Sequence, residues 1–412
     1  MSNARSRLPA LERLPRNARN AILLEPLWAI FGTVVMYYAP LYMTGIGLSS
    51  PQVGLLGSLT LAASLCFQTL AAPITNRLGR KRTTLIWDLV SWTLPMFIWA
   101  FSDSFAAFLL AALLSATGRI VSVSWSLLVI EDVEPPARAR VFGILNTIVA
   151  VCGLLTPLVG LLIAQYGVVP TLRGYYFAGG IGMTIMFLWR NAITSETRNG
   201  TAAMLEHREL HPWQSFRENL GQVGALWRTP GLPWVVTFYV ATVFLEQMSL
   251  FQILFFEGSL RFGAAVLSWV PVAVAVVTVL MYNQVLRRLR HVPAERGLVL
   301  ARGLGLIGAL LILLIPSGNL AVLLCAVSVL ASATFLTQTY RDTVLFDRLP
   351  HQGTADLYSA VQILTMLFSI PAAGIAGWIF SIRPISLFAV IAVLNVGLLL
   401  VAVIVSRQQT KG

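Results

Sequence analysis

Residues 72–84 read APITNRLGRKRTT, and what stands on either side of them decides the fold. An apolar run precedes them (51–75) and another follows (84–102). Arg77, Arg80, Lys81 and Arg82 cannot enter hydrocarbon cheaply. About 20 apolar residues in a helix cross the roughly 30 Å core of a bilayer. The basic stretch therefore sits at a membrane surface, between two spans. Outward from it, the same reading predicts twelve spans: 20–45, 51–75, 84–102, 105–130, 138–165, 170–192, 231–257, 264–287, 295–316, 319–345, 354–380 and 384–406. The runs are continuous rather than alternating, which excludes a barrel. In lipid each must then close its backbone hydrogen bonds as a helix. The chain of 412 residues is 57% hydrophobic and 11% charged, against about 25% charged in soluble domains. That excludes an ordinary soluble enzyme and a disordered chain. Cys66, Cys152 and Cys325 each lie inside an apolar run without pairing or metal spacing, and read as free, small buried hydrophobes.

The net charge of +12 does not call for nucleic acid once the charges are placed. The tails and even-numbered connectors carry 25 Lys or Arg, the odd-numbered ones three (Arg173, Arg261 and Arg383). Arg119 is left as the basic residue inside a span. This asymmetry predicts both termini on the cytoplasmic side. Residues 1–19 form a basic cytoplasmic tail, and the run from Asn20 lacks a small-residue cleavage site, so no cleavable leader is expected. The longest connector, 193–230, starts polar and then places Trp213, Phe216, Leu220, Val223 and Trp227 at helical spacing. It predicts an amphipathic helix resting on membrane lipid. It also divides the chain into six-span bundles at 20–192 and 231–406, with a tail at 407–412. The halves look duplicated: RVFGILNTIVAVCGLLTPLVGLL (140–162) parallels DLYSAVQILTMLFSIPAAGIAGW (356–378), with Phe142 matching Tyr358 and Asn146 matching Gln362.

Ionisable groups inside spans are costly, so each is a candidate for function. Arg119 lies about 21 Å along the fourth span. It shares a helical face with Ser115, Ser122 and Ser126, with Trp125 beside it. It could anchor a polar or anionic substrate, or pair with a carboxylate. Glu246 lies near the middle of the seventh span, with Gln247 and Gln252 close by. At that depth it could take up and release a proton, or pair statically with Arg119. Glu25 lies early in the first span and is a second proton-coupling candidate. Asp88, early in the third span, is read as a structural partner of the basic loop. Thr334, Gln338 and Arg341 share a face of the tenth span. Asn146 and Gln362 either line the cavity or bond between helices.

The 72–84 stretch resembles the loop signature of the major facilitator superfamily, G-x-x-x-D-R-x-G-R-R/K. Arg77, Gly79, Arg80 and Lys81 match, whereas Ala72 stands for Gly and Asn76 for Asp. EDVEPPARARVFG (131–143) is also similar to the family's loop after span four. The resemblance covers the whole chain. It implies an all-α membrane protein of twelve helices in two pseudo-symmetric six-helix bundles, with a cavity lined by spans one, four, seven and ten. It also implies a cytoplasmic gate in which the Asn76–Lys81 loop meets Glu131, Asp132 and Glu134, weakened by Asn76, which can still cap a facing helix. Gly153, Pro157 and Gly160 half-match the span-five signature of the family's antiporters, and Arg119 the span-four signature of its drug antiporters. The expected function is secondary active transport by alternating access, with protons as the coupling ion and a small amphipathic or drug-like molecule exported. The alternatives are uptake or facilitated passage of a polar metabolite (a sugar or organic anion), and a membrane sensor that moves nothing. His207, His211, His291 and His351 all lie in connectors. No converging nucleophile and base, metal motif or cofactor motif is present, so neither an enzyme nor a cofactor is expected. The chain is expected to be a monomer in a bacterial plasma membrane.

Overall fold

A computed structural model describes residues 14–206, 223–228, 231–285, 288, 292–349 and 354–409. The four histidines, the stripe residues Trp213, Phe216 and Leu220, and most of the two tails lie outside the described residues. Ten helices are long and apolar enough to cross a membrane: α1 (Arg16–Gly45), α2 (Ser50–Leu78), α3 (Arg80–Phe101), α4 (Phe105–Ile130), α5 (Val141–Tyr166), α7 (Leu232–Ser259), α9 (Ala294–Leu313), α10 (Leu320–Arg348), α11 (Ala360–Ile382) and α12 (Pro384–Gln408). Two further helices occupy the sixth and eighth expected spans. One is α6 (Val168–Ile193), which carries Arg173 and Arg190, and the other is the shorter α8 (Ala264–Leu280). Connector residues Arg198–Glu206 and Val223–Arg228 are also helical.

Local chemistry sets the helix ends. Ser104 and Asn319 cap α4 and α10 by accepting from the amides of Ala107 and Val322. Gly79, at φ 82°, makes the turn between α2 and α3 that a side chain would strain. Asn17 exchanges two hydrogen bonds with the Ser195 backbone, and Asn20 donates to the Ile193 carbonyl. The start of α1 thereby satisfies carbonyls that the end of α6 leaves free.

The helices are not uniform. A π-turn at Leu89–Thr93 follows Asp88 in α3. Thr117 interrupts α4 two residues before Arg119. A 3₁₀ turn at Ser249–Phe251 follows Glu246 in α7. Such interruptions free backbone groups and are frequent at functional positions. Leu23, Met36, Leu158, Leu161, Leu314, Val393 and Leu400 are each more than half exposed, an apolar surface that suits hydrocarbon and not water. Cys152 is buried, but Cys66 and Cys325 are exposed, against the expectation that all three are interior. In apolar runs facing lipid, exposure to the surroundings costs a thiol nothing.

The chain forms two compact units. The first comprises Met1–Met36, Ala63–Leu155 and Val169–Ser215; the second comprises Tyr37–Ala62, Thr156–Val168 and Phe216–Gly412. In the first unit, Ala18, Ala21, Ile22, Val129, Val133, Val141 and Leu145 form a core where α1, α4 and α5 meet, with Trp125 and Phe142 packed against it. In the second, the early part of α2 packs closely on α11, and the late part of α5 on α8. A Cβ on Gly54 would strike the Ala373 carbonyl and come 3.1 Å from the Gly377 Cα. One on Gly160 would strike the Ser268 side chain. The Gly374 amide donates to Ser58 Oγ (2.9 Å), and the Tyr37 hydroxyl to the Leu267 carbonyl (2.7 Å). Small residues permit this backbone approach. Gly54→Val is expected to destabilise the purified protein by about 1–3 kcal/mol, read as a lower thermal midpoint. Gly397→Ala, where a Cβ meets nothing within 4 Å, is expected to leave the midpoint unchanged or raise it.

Candidate functional site

Where α2 turns into α3, Arg80 is the hub. Its Nε and Nη2 donate to Glu131 Oε1 (3.2 and 3.0 Å), and Nη1 donates to Asn76 Oδ1 (3.0 Å). Both members of the Arg80–Glu131 pair are largely buried, at 7% and 10% side-chain exposure. The Thr197 hydroxyl donates to the other Glu131 oxygen. Glu196 accepts from the amides of Arg80 and Lys81, 3.0 Å each, which caps the N-terminus of α3 with a carboxylate. Asn76 therefore holds the Arg80 guanidinium and does not cap a helix. Arg77, Lys81, Asp132 and Glu134 form no ion pair among the described residues.

The first unit also holds a cavity of about 230 Å³ between α1, α3, α4 and α6. Glu25, Trp28, Asp88, Trp92, Trp125 and Arg190 are among the residues that line it, with Ser122 and Phe187. Trp28 and Trp92 meet edge to face at 5.2 Å. Asp88 pairs with Arg190 of α6, not with the basic loop as expected, and both side chains are buried. Reach explains the correction: Arg190 lies on the helix packed beside α3, and its guanidinium also rests 5.3 Å over the Phe187 ring. Glu25 forms no ion pair or hydrogen bond among the described residues.

The second unit carries the other charge cluster. Glu246 of α7 pairs with Arg341 of α10 at 3.6 Å. Arg341 lies 3.5 Å from Asp342 and 4.3 Å over the Tyr239 ring. The Tyr239 hydroxyl accepts from Gln362 Nε2 (3.1 Å). Arg302 of α9 is buried, donates to the Thr337 hydroxyl and sits 5.8 Å over Phe238. Arg119 is therefore not the one basic residue inside a span. Arg302 and Arg341 were counted with the connectors, because each lies near enough to a basic run to be absorbed by it. The ion-pair partner of Glu246 is Arg341, not Arg119. Gln252 and Gln338 come together with Thr278 and Thr334 around a second, mostly aliphatic cavity of about 300 Å³.

Other expected residues stand apart. Arg119, Ser122 and Asn146 are exposed. Ser115 and Ser126 flank Arg119, on the face of α4 away from buried Ile120, Val121, Ser124 and Leu128. Arg119 forms no ion pair among the described residues. Trp125 and Ser122 line the first cavity, and Gln362 holds Tyr239.

A sequence profile described as Major Facilitator Superfamily matches residues 27–373. The chain belongs to this superfamily. The nucleoside transporter NupG superposes with a TM-score of 0.73 at 13% identity, covering 95% of this chain and 99% of that one. A POT family transporter in complex with 5-aminolevulinic acid gives 0.69 at 11% identity, covering 97% and 99%. The peptide transporter POT in complex with sulfate gives 0.69 at 14% identity, covering 96% and 95%. At these identities the likeness shows the fold and nothing finer. No curated protein matches the chain significantly in sequence.

The superfamily fold makes the chain a multi-pass integral membrane protein and a secondary transporter of small molecules, not an enzyme. Sequence reasoning missed Glu196, Arg190 and Arg302. A carboxylate just after an apolar run was the available signal for Glu196; only the fold brings it to Gly79. Removing one member of a buried pair typically costs about 3–5 kcal/mol, so Arg80→Ala is expected to lower the thermal midpoint strongly. Arg80→Ala with Glu131→Ala should cost less than the sum of the single changes, because neither charge is then stranded.

Proposed function

We propose that this superfamily member is a proton-coupled exporter of a small amphipathic or drug-like molecule, with Glu246 as the proton-carrying group. The observation that carries this reading is the Glu246–Arg341 pair on α7 and α10. Glu246 keeps 36% of its side chain exposed, while Arg341 keeps 12%. A carboxylate so placed can exchange a proton with solvent while its cation stays fixed. Protonation releases the pair, and deprotonation restores it. The 3₁₀ turn beginning three residues later gives α7 a point at which release can alter its path. The aliphatic wall and two glutamines of the second cavity suit an amphipathic molecule.

In this reading, bundles 20–192 and 231–406 rock about their junction as Glu246 changes state. The connector 193–230 is the cytoplasmic link, and the Asn76–Lys81 loop with Glu131 and Asp132 forms the cytoplasmic gate. Both termini are cytoplasmic, as the distribution of arginine demands, and the membrane is a bacterial plasma membrane. The transporter acts as a monomer. A second reading, passage of an anionic metabolite, is favoured by Arg119, exposed and without an ion pair among the described residues. It predicts that Arg119→Ala abolishes anion flux.

The test is purified protein in proteoliposomes holding a pH-sensitive dye, under an imposed proton gradient. Lipophilic cations, neutral aromatics, sugars and organic anions are added in turn. Compound-driven proton movement is expected from the amphipathic compounds, and Glu246→Gln is expected to abolish it while retaining compound binding. Proton movement that survives in Glu246→Gln would overturn the assignment of Glu246. Gradient-independent flux of sugars or anions alone would overturn proton-coupled export.

A further inference from the structure

The first unit holds a cavity whose chemistry is more selective than amphipathic. Its two buried charges, Asp88 and Arg190, neutralise each other by direct contact. Arg190 also acts on Glu25 through space, but the lining sets two carboxyl groups, Glu25 and Asp88, against that one guanidinium, and Glu25 has no ion pair or hydrogen bond among the described residues. The walls are aromatic: Trp28 and Trp92 edge to face at 5.2 Å, with Trp125 and Phe187 completing the lining. Indole faces carry negative potential and attract cations, most strongly where water is excluded. A second carboxyl group among aromatic rings in a membrane-embedded cavity calls for a counter-charge, and among the described residues the lining offers only Arg190, which is already paired with Asp88. The volume, about 230 Å³, falls below the roughly 300–1,000 Å³ of sites for drug-sized ligands. It suits one aromatic ring with a quaternary ammonium group, or the charged head of a larger compound.

We infer that the cavity lined by Glu25, Trp28, Trp92 and Trp125 is a binding site for an organic monocation, with Glu25 as the counter-ion and the indoles as the cage. An organic anion is disfavoured, because the guanidinium that would hold it is already bound to Asp88. Proton-coupled export by itself requires neither this site nor a cationic ligand, and binding here needs no gradient.

The experiment is equilibrium binding of labelled trimethylphenylammonium to the purified full-length protein, without a gradient, so that it stands or falls separately from proton coupling. Saturable binding is expected, with competition by other aryl ammonium ions but not by neutral N,N-dimethylaniline or by benzoate. Glu25→Gln should weaken the cation by about tenfold or more, and Trp28→Ala by a comparable factor. Trp28→Phe, which keeps a ring, should lie between. Glu25 forms no hydrogen bond or ion pair among the described residues, so Glu25→Gln should keep the wild-type thermal midpoint, and Glu25→Asp should recover part of the affinity. Absence of saturable binding to the wild type would overturn the inference. So would unchanged affinity in Glu25→Gln, or competition by dimethylaniline or benzoate as strong as by the cations.

Discussion

A charge placed among apolar helices has to be answered by another charge or polar group within the same helix packing, and the architecture follows from how that is done. Arg80 is answered by Glu131 and Asn76, Asp88 by Arg190, and Glu246 by Arg341. Isolated ions would be far more expensive than these pairs. Two of the pairs join helices that are not consecutive, α3 with α6 and α7 with α10, so the cost of burying charge helps to specify which helices lie side by side. Two of the pairs stand beside helical irregularities: a π-turn follows Asp88 and a 3₁₀ turn follows Glu246. Regular helices with apolar faces would need none of these.

The three pairs differ in what they leave free. Arg80–Glu131 and Asp88–Arg190 are closed, with little exposure on either side. Further hydrogen bonds from Thr197 and from Arg80 to Asn76 hold the first, and the Phe187 ring underlies the second. Such pairs fix structure. Glu246–Arg341 is longer and open on its acidic side, and Arg341 is shared with Asp342 and the Tyr239 ring. A pair whose cation has alternative partners can separate at lower cost than one whose members have none. The proposal of Glu246 as the proton-carrying group rests on that difference in geometry. Superfamily membership does not, since one fold serves many substrates.

The positions of the spans were legible because hydrocarbon imposes a length and forbids charge, and both constraints are written along the chain. The basic turn between the second and third spans was legible for the same reason, and Gly79 because a positive φ selects glycine; that α2 and α3 run through the rest of 72–84 as helix was not. Glu25, Asp88, Arg119 and Glu246 stood out because they interrupt apolar runs. Their partners did not. Asp88 meets a residue 102 positions away, and Arg80 one 51 positions away. No local spacing encodes a contact made by packing. Arg302 was hidden by a different effect: a charge near the end of a span looks like part of the adjoining connector; Arg341 was placed on a face of the tenth span, but not as the partner of Glu246. Gln252 and Gln338 line one cavity, a contact between helices that neither residue's own spacing specifies. Arg119 lies on the face of α4 away from the buried one, a matter of helix rotation that periodicity alone left open.

If Glu246 carries the proton, its carboxyl group must change state when the transported compound binds. Difference infrared spectroscopy of the reconstituted protein, recorded on compound addition for wild type and Glu246→Gln, reads that change directly. The expected result is a carboxyl C=O difference band in the wild type that is missing from Glu246→Gln. A compound that binds without such a band, or a band that persists in Glu246→Gln, would contradict the assignment of the proton to Glu246.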